Sequence, residues 1–156
     1  MNNPSRFLLH VPVPWVFVLG YLVGIALERV HRTILTPSVA YWSPIAGAAL
    51  FLAGTAIAAW AWTIFRRART TTVPGKSSAT LVVRGPYRLT RNPMYVGLTL
   101  AYLGEAGLLR QLWPIALLPI VLAYVNWTVI PVEEAKLTEV FPDEYRQYQS
   151  RVRRWI

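Results

Sequence analysis

Four long apolar runs, separated by short charged or proline-bearing stretches, organise the chain. A helix that crosses a bilayer needs about 20 mostly apolar residues. The first run extends from Val11 to about Leu27, with Pro12 and Pro14 at its mouth, and stops at Glu28-Arg29. It sits near the short limit. Only Arg6 precedes it as positive charge and no clear small-residue cleavage site follows, so it reads as a retained span rather than a signal peptide. The second run, Ser38 to Phe65, contains no charged residue, and its Ala/Gly-rich part suits close helix–helix packing. The third runs from about Pro93 to Leu109 and the fourth from Trp113 to about Val132. Only Arg110, Gln111 and their neighbours join these two, which predicts an antiparallel helical hairpin. Pro114 suits a helix start. Pro119 predicts a kink or a compensated break.

The polar stretches are of two kinds. Thr70 to Ala79, rich in Thr, Ser, Pro and Gly, predicts a loop. From Glu133 onward, helical spacing puts Leu137, Phe141, Tyr145 and Tyr148 near one stripe, which Pro142 interrupts. Two short helices flanking Phe141-Pro142 and lying at the membrane surface are expected. The expected fold is therefore all-α: one domain over 1–156, an integral membrane bundle of four or five transmembrane helices with short C-terminal interfacial helices.

Composition supports this and adds an orientation. Only 15% of residues are charged, against about 25% in an average soluble chain. Seven Trp and eight Tyr fit a protein with two lipid–water interfaces. The net charge of +9 is interrupted by apolar runs, so anionic lipid explains it better than nucleic acid. With four spans, the N-terminus, the loop over 66–92 and the tail share one side. That side holds all of the 16 basic residues except Arg29, Arg32 and Arg110. By the positive-inside rule it faces the cytoplasm, across an inner or plasma membrane. The chain has no cysteine, which excludes a disulfide framework and a thiol nucleophile. His10 and His31 fall outside metal-ligand spacing, so no metal site is expected.

Candidate chemistry concentrates in the second half. In the segment Arg84 to Gly97, Gly85-Pro86 marks a turn and Asn92-Pro93 a helix start, with Asn able to cap free backbone N–H groups. Such a start favours an anion, and Arg88 and Arg91 reinforce it. The bland alternative is a positive-inside loop with an ordinary cap. Glu133-Glu134, just after the fourth span, offers a carboxylate pair for an ammonium, or else a solvated helix start. Together the two segments suit a zwitterion. Tyr87, Tyr95, Tyr145 and Tyr148 offer ring surface for a heterocycle or a cation, or form an interfacial belt. Glu105 is the ionisable residue well inside a span, though close to Arg110 and the far interface. Asn126 and Trp127 line a cavity or pack.

The pattern G-P-Y-R-L-T-R-N-P-M-Y-V-G, then a helical hairpin, then E-E-A-K-L and F-P-D-E-Y-R-Q-Y before R-V-R-R-W, resembles the isoprenylcysteine carboxyl methyltransferases and the related membrane phospholipid methyltransferases. The resemblance covers about residues 80–156. It implies a methyltransferase that uses S-adenosylmethionine, held in a cytoplasmic pocket of the last spans and C-terminal helices, with a lipophilic small-molecule or lipid acceptor entering from the membrane. Carried onto this chain, it implies that Arg91, Asn92, Pro93 and Tyr95 belong to one site motif and Glu133-Glu134 to another. It further implies that Tyr145, Tyr148 and Arg151 match C-terminal site positions. With Tyr87 and Arg88 these form the expected cofactor site, and Arg91, Asn92 and Glu133 the expected catalytic group. Asn92 stands where the eukaryotic enzymes carry His, and retains an acceptor and donors. Membrane sterol and steroid reductases look similar in their second halves and bind a nicotinamide cofactor. A non-catalytic subunit that keeps the fold is the alternative of another class. NADPH binding, or binding of neither cofactor, separates these.

Overall fold

The computed structural model describes residues 14–31, 34–69 and 80–156. The described residues form helices and no strands. In chain order they are α1 (Pro14–Val30), α2 (Pro37–Arg69), a 3-10 turn (Gly85–Arg88), α3 (Pro93–Leu108), α4 (Leu112–Tyr124), a π-turn (Val125–Val129), α5 (Ile130–Val140) and α6 (Pro142–Arg151). The expected end of the first apolar run, both ends of the second and third and the start of the fourth agree with these bounds to within a few residues. The expected loop over Thr70 to Ala79, with His10 and the first residues of the first run, lies outside the described residues.

Two helical stretches are long and apolar enough to cross a membrane, Pro37–Ala68 and Leu112–Val140. At 17 and 16 residues, α1 and α3 reach roughly 25 Å at 1.5 Å per residue, a little under the usual bilayer core of about 30 Å. Large side chains point outward from α2: Leu52 is 69% exposed, Trp60 54% and Trp62 53%. This is the surface of a membrane protein, with hydrocarbon-compatible residues where a soluble protein carries charge.

The helices meet in two ways. Between α2 and α3 the backbones touch, because glycines face each other. A Cβ on Gly54 would lie 2.6 Å from the Gly97 oxygen, and one on Gly97 would lie 2.6 Å from the Ala58 nitrogen. Larger side chains would force this seam apart. On the other side of α3, a core of Phe17, Tyr21, Tyr102, Ala106, Leu118, Val121, Val125 and Ile130 joins α1, α3, α4 and α5. Tyr102 donates from its hydroxyl to the Pro114 carbonyl at 2.9 Å, which satisfies the polar end of a buried ring. At the far end of the hairpin, Glu28 accepts from the backbone N–H of Leu112 (3.0 Å) and of Trp113 (3.1 Å), so the start of α4 is capped from α1. Glu105 falls in the last turn of α3, near this end, half-buried.

The fourth apolar run departs from expectation at its end. The chain does not leave the helix near Val132: α4, the π-turn and α5 make one continuous rod to Val140. Pro119 is accommodated inside α4, and the irregularity falls six residues later, at the π-turn. The break at Phe141-Pro142 is where the sequence puts it. Phe141 has φ −132° and ψ 66°, since proline disfavours helical backbone in the residue before it. Of the two short helices expected there, α6 is separate and α5 is the end of the rod.

Candidate functional site

The rod carries Glu133 and Glu134 past the start of α3, and this brings the two sequence motifs together. From Glu133 on, the rod bears Glu133, Glu134, Lys136 and Glu139 and is too charged for hydrocarbon. Since helix precedes this acid pair without a gap, the pair does not cap a helix start.

Glu134 is the centre of an ion cluster. One carboxylate oxygen accepts from Arg91 Nε (3.2 Å) and Nη2 (2.8 Å), and from Arg154 Nε (3.3 Å). The other accepts from Arg154 Nη2 at 2.6 Å. The Arg91 and Glu134 side chains are each only 13% exposed. Burial pushes the Glu134 carboxyl upward, but the hydrogen bonds and charges of Arg154 and Arg91 outweigh it, and the group lies below the usual carboxylate range.

Arg91 does more than hold Glu134. Its Nη1 donates to the carbonyls of Val152 (2.9 Å) and Gln149 (3.3 Å), and its backbone N–H to that of Arg153 (2.9 Å). Thr90 Oγ1 (3.0 Å) and Asn92 Nδ2 (3.0 Å) both donate to the Arg154 carbonyl. The segment after α6 is thus strapped, residue by residue, to the start of α3. This corrects the expected role of Asn92 as a side-chain cap. Asn92 occupies the cap position but makes no capping bond, and its side chain holds the strap instead. The free positive charge expected of Arg91 at the helix start is likewise taken up by Glu134 and the carbonyls.

Glu133 is placed differently. It is exposed to solvent, yet the protein packed beside it desolvates its carboxyl. Tyr95 donates its hydroxyl to Glu133 Oε1 at 2.8 Å, and the second oxygen has no partner among the described residues. Desolvation pushes the Glu133 carboxyl up, the Tyr95 hydrogen bond opposes this, and the charge of Glu134 adds to it. Tyr87 lies close enough to feel the charge of Glu133. Burial, then that charge, pushes its phenol up to about 12, so it remains neutral.

The remaining candidates divide by exposure. Pro93 and Tyr145 are fully buried and act through packing. Tyr148 is buried and donates to the Tyr87 carbonyl at 2.6 Å, fixing the 3-10 turn. Gly85 opens that turn at φ +62°, a conformation glycine takes without strain. Arg88 and Arg151 are exposed and line, with Tyr148, Phe141, Gln147 and Glu144, a cavity of about 640 Å³. Asn126 and Trp127 line a second, apolar one of about 690 Å³ between α3 and α4. Sequence reasoning did not single out Thr90, Arg154 or Trp155. Thr90 lies in the R-L-T-R-N-P run and Arg154 and Trp155 in the R-V-R-R-W run, both part of the pattern that carries the family resemblance.

A family model for phospholipid methyltransferases matches residues 42–144, from early α2 to the start of α6. A 79-residue stretch is 35% identical to the cobalt-zinc-cadmium resistance protein CzcN of Cupriavidus metallidurans, a match covering 51% of this chain and 36% of that protein. The chain therefore spans well under half the length of this relative. No solved structure matches. With well over half of its residues matched by the family model, and with the two motifs of the second half meeting in one place, the chain belongs to the phospholipid methyltransferase family.

Proposed function

We propose that the protein is an S-adenosylmethionine-dependent methyltransferase acting on a small lipophilic or membrane-embedded acceptor. In this reading α1, α2, α3 and α4 all span the membrane, and Glu133 and the strap face the cytoplasm. The observation that carries it is Glu133: a partly desolvated carboxylate, held by Tyr95 at one oxygen and with no partner among the described residues at the other, in a membrane protein of a methyltransferase family.

The residues fit the cofactor's chemistry. Its cationic end suits Glu133, which desolvation makes a stronger partner for a cation than a solvated carboxylate. Its carboxylate suits Arg88 or Arg151, the exposed guanidinium groups at the 640 Å³ cavity. When bound, the cofactor supplies a methyl group made electrophilic by a sulfonium. An acceptor's lone pair would take that methyl in line, with the electrons of the carbon–sulfur bond left on sulfur. The chain's part is to orient and to exclude water. Tyr95 fixes the Glu133 carboxylate, and the Arg91–Glu134–Arg154 cluster fixes the wall behind it. A carboxylate or thiolate acceptor needs no base. An amine needs one, and Glu133, whose neighbour Glu134 is taken up by Arg91 and Arg154, is the candidate for its proton.

Calorimetry on the detergent-purified chain tests this, with S-adenosylmethionine, S-adenosylhomocysteine and NADPH as titrants. Binding of the first two, weakened in Glu133→Gln, is expected. A folded sample that binds neither refutes the methyltransferase reading, and an NADPH signal in its place favours a reductase.

A further inference from the structure

The end of the bundle opposite Glu133 holds a cavity of about 660 Å³, within the range of about 300–1,000 Å³ usual for small-molecule sites. It lies where α1 and α3 end and α2 and α4 begin. Two helix ends of each sign offset one another there, so side chains set its charge. Arg29 and Arg110 bring two exposed guanidinium groups, and neither has an ion-pair partner among the described residues. Glu28 is the acid of the lining, and its Oε2 accepts the backbone N–H groups of Leu112 and Trp113. Glu105, also near this end, is outside the lining. Gln111 accepts the Tyr21 hydroxyl at Oε1 (3.1 Å), which leaves its amide nitrogen as a donor. Ile25 and Leu109 add apolar surface.

Arg110 stands there against local preference. α3 ends in a Schellman motif: the Gln111 N–H donates to the Ala106 carbonyl at 2.8 Å and the Arg110 N–H to that of Gly107 at 3.2 Å. The motif forces positive φ on the residue at position 110. At 58°, Arg110 is the one described residue other than glycine with such a φ. Glycine takes this conformation without strain, so an arginine in its place accepts strain to present its side chain. The positive-inside rule opposes it too. In the four-span arrangement this end faces away from the cytoplasm, and both of its described basic residues line this one cavity. Guanidinium forks match phosphate oxygens, and the apolar lining at the level of the headgroups suits a phosphate that carries acyl chains. We infer that the cavity binds the phosphate group of an anionic phospholipid, in the leaflet opposite the Glu133 site, and so ties α1 to the α3–α4 hairpin. This stands apart from the methyltransferase reading, and either can fail alone.

The test uses the full chain in phosphatidylcholine nanodiscs titrated with phosphatidylglycerol whose headgroup carries a diazirine. After photolysis, mass spectrometry reads label at Leu109 and Gln111 against Ile34, which is 94% exposed at the same end and outside the lining. Wild type is expected to label the lining above Ile34, in a saturable way. Arg29→Ala and Arg110→Gly each weaken this binding about tenfold, the effect of losing a hydrogen bond between charged groups. Arg110→Lys keeps the charge but not the fork, and falls between. Arg110→Gly is also expected to unfold thermally no earlier than wild type, because glycine relieves the positive φ. Arg146→Ala, exposed on α6 at the other end, leaves the label unchanged. Label at the lining no greater than at Ile34, or unchanged in both Arg29→Ala and Arg110→Gly, overturns the inference. So does inorganic phosphate displacing the label as well as unlabelled phosphatidylglycerol does, which makes the site one for a small anion. Equal label from a phosphatidylcholine with the same reactive group overturns it as well. An earlier unfolding of Arg110→Gly with label retained assigns Arg110 to the helix end alone and has the same consequence.

Discussion

Replacing Glu134 by alanine removes the one acid that neutralises both Arg91 and Arg154 at the strap. Four hydrogen bonds to charged nitrogens, at 2.6–3.3 Å, disappear together. Two guanidinium groups then face each other with no anion between them. Breaking a buried ion pair by deleting one partner costs about 3–5 kcal/mol. Arg154 is a third exposed, and water screens its share, so about 2–3 kcal/mol is expected. Glu134→Gln keeps an acceptor and loses the charge, and is expected to cost less, about 1–2 kcal/mol. The loss is also local. Arg91 retains the Val152 and Gln149 carbonyls, so the strap loosens rather than detaches, and the amides of 152–155 exchange faster than those of α3. Equilibrium unfolding in mixed micelles gives the first quantity and hydrogen exchange the second, with Lys136→Ala on the exposed side of α5 as control. An alanine variant within about 0.5 kcal/mol of wild type, with strap exchange unchanged, would refute the claim that this cluster holds the strap.

Three further outcomes follow from the same geometry. Because the folded-state Glu134 carboxyl lies below the ordinary range, its contribution is present above the unfolded value and is lost as pH falls through the folded one; acid unfolding of Glu134→Gln should be shallower than that of wild type. Because the Glu133 carboxyl is raised, cofactor binding should weaken as pH falls through a value above the ordinary carboxylate range, and calorimetry across pH should show Glu133→Gln weak at every pH. A Cβ on Gly104 would meet the Phe51 Cα at 2.6 Å and the Gly47 oxygen at 2.7 Å, so Gly104→Val should destabilise by about 1–3 kcal/mol or more in the same unfolding assay.

Much of the helical plan was legible along the chain because it is local. A run such as 38–65 with no charge has one low-energy state in a bilayer, and Pro142 interrupts a helix wherever it sits. The start of α3 at Pro93 was legible for the same reason. The end of the fourth run was not. Glu133-Glu134 resembles a helix start after an apolar run. That it lies inside a continuous rod depends on the π-turn at Val125–Val129, which carries no sequence mark. Asn92 shows the same limit. Its capping propensity is local, but a carbonyl 62 residues away offers its side chain a better partner.

Sequence alone determined the membrane character, the helices, the break at Phe141-Pro142 and the two motifs that mark a methyltransferase family, since each depends on neighbours along the chain. Only the tertiary structure decided which acid does what. Glu133 and Glu134 are adjacent and chemically identical. The rod turns one toward Tyr95, and the other toward two arginines that hold it ionised. Hydrogen-bond partners and desolvation set a carboxylate's character, and both come from residues distant in sequence.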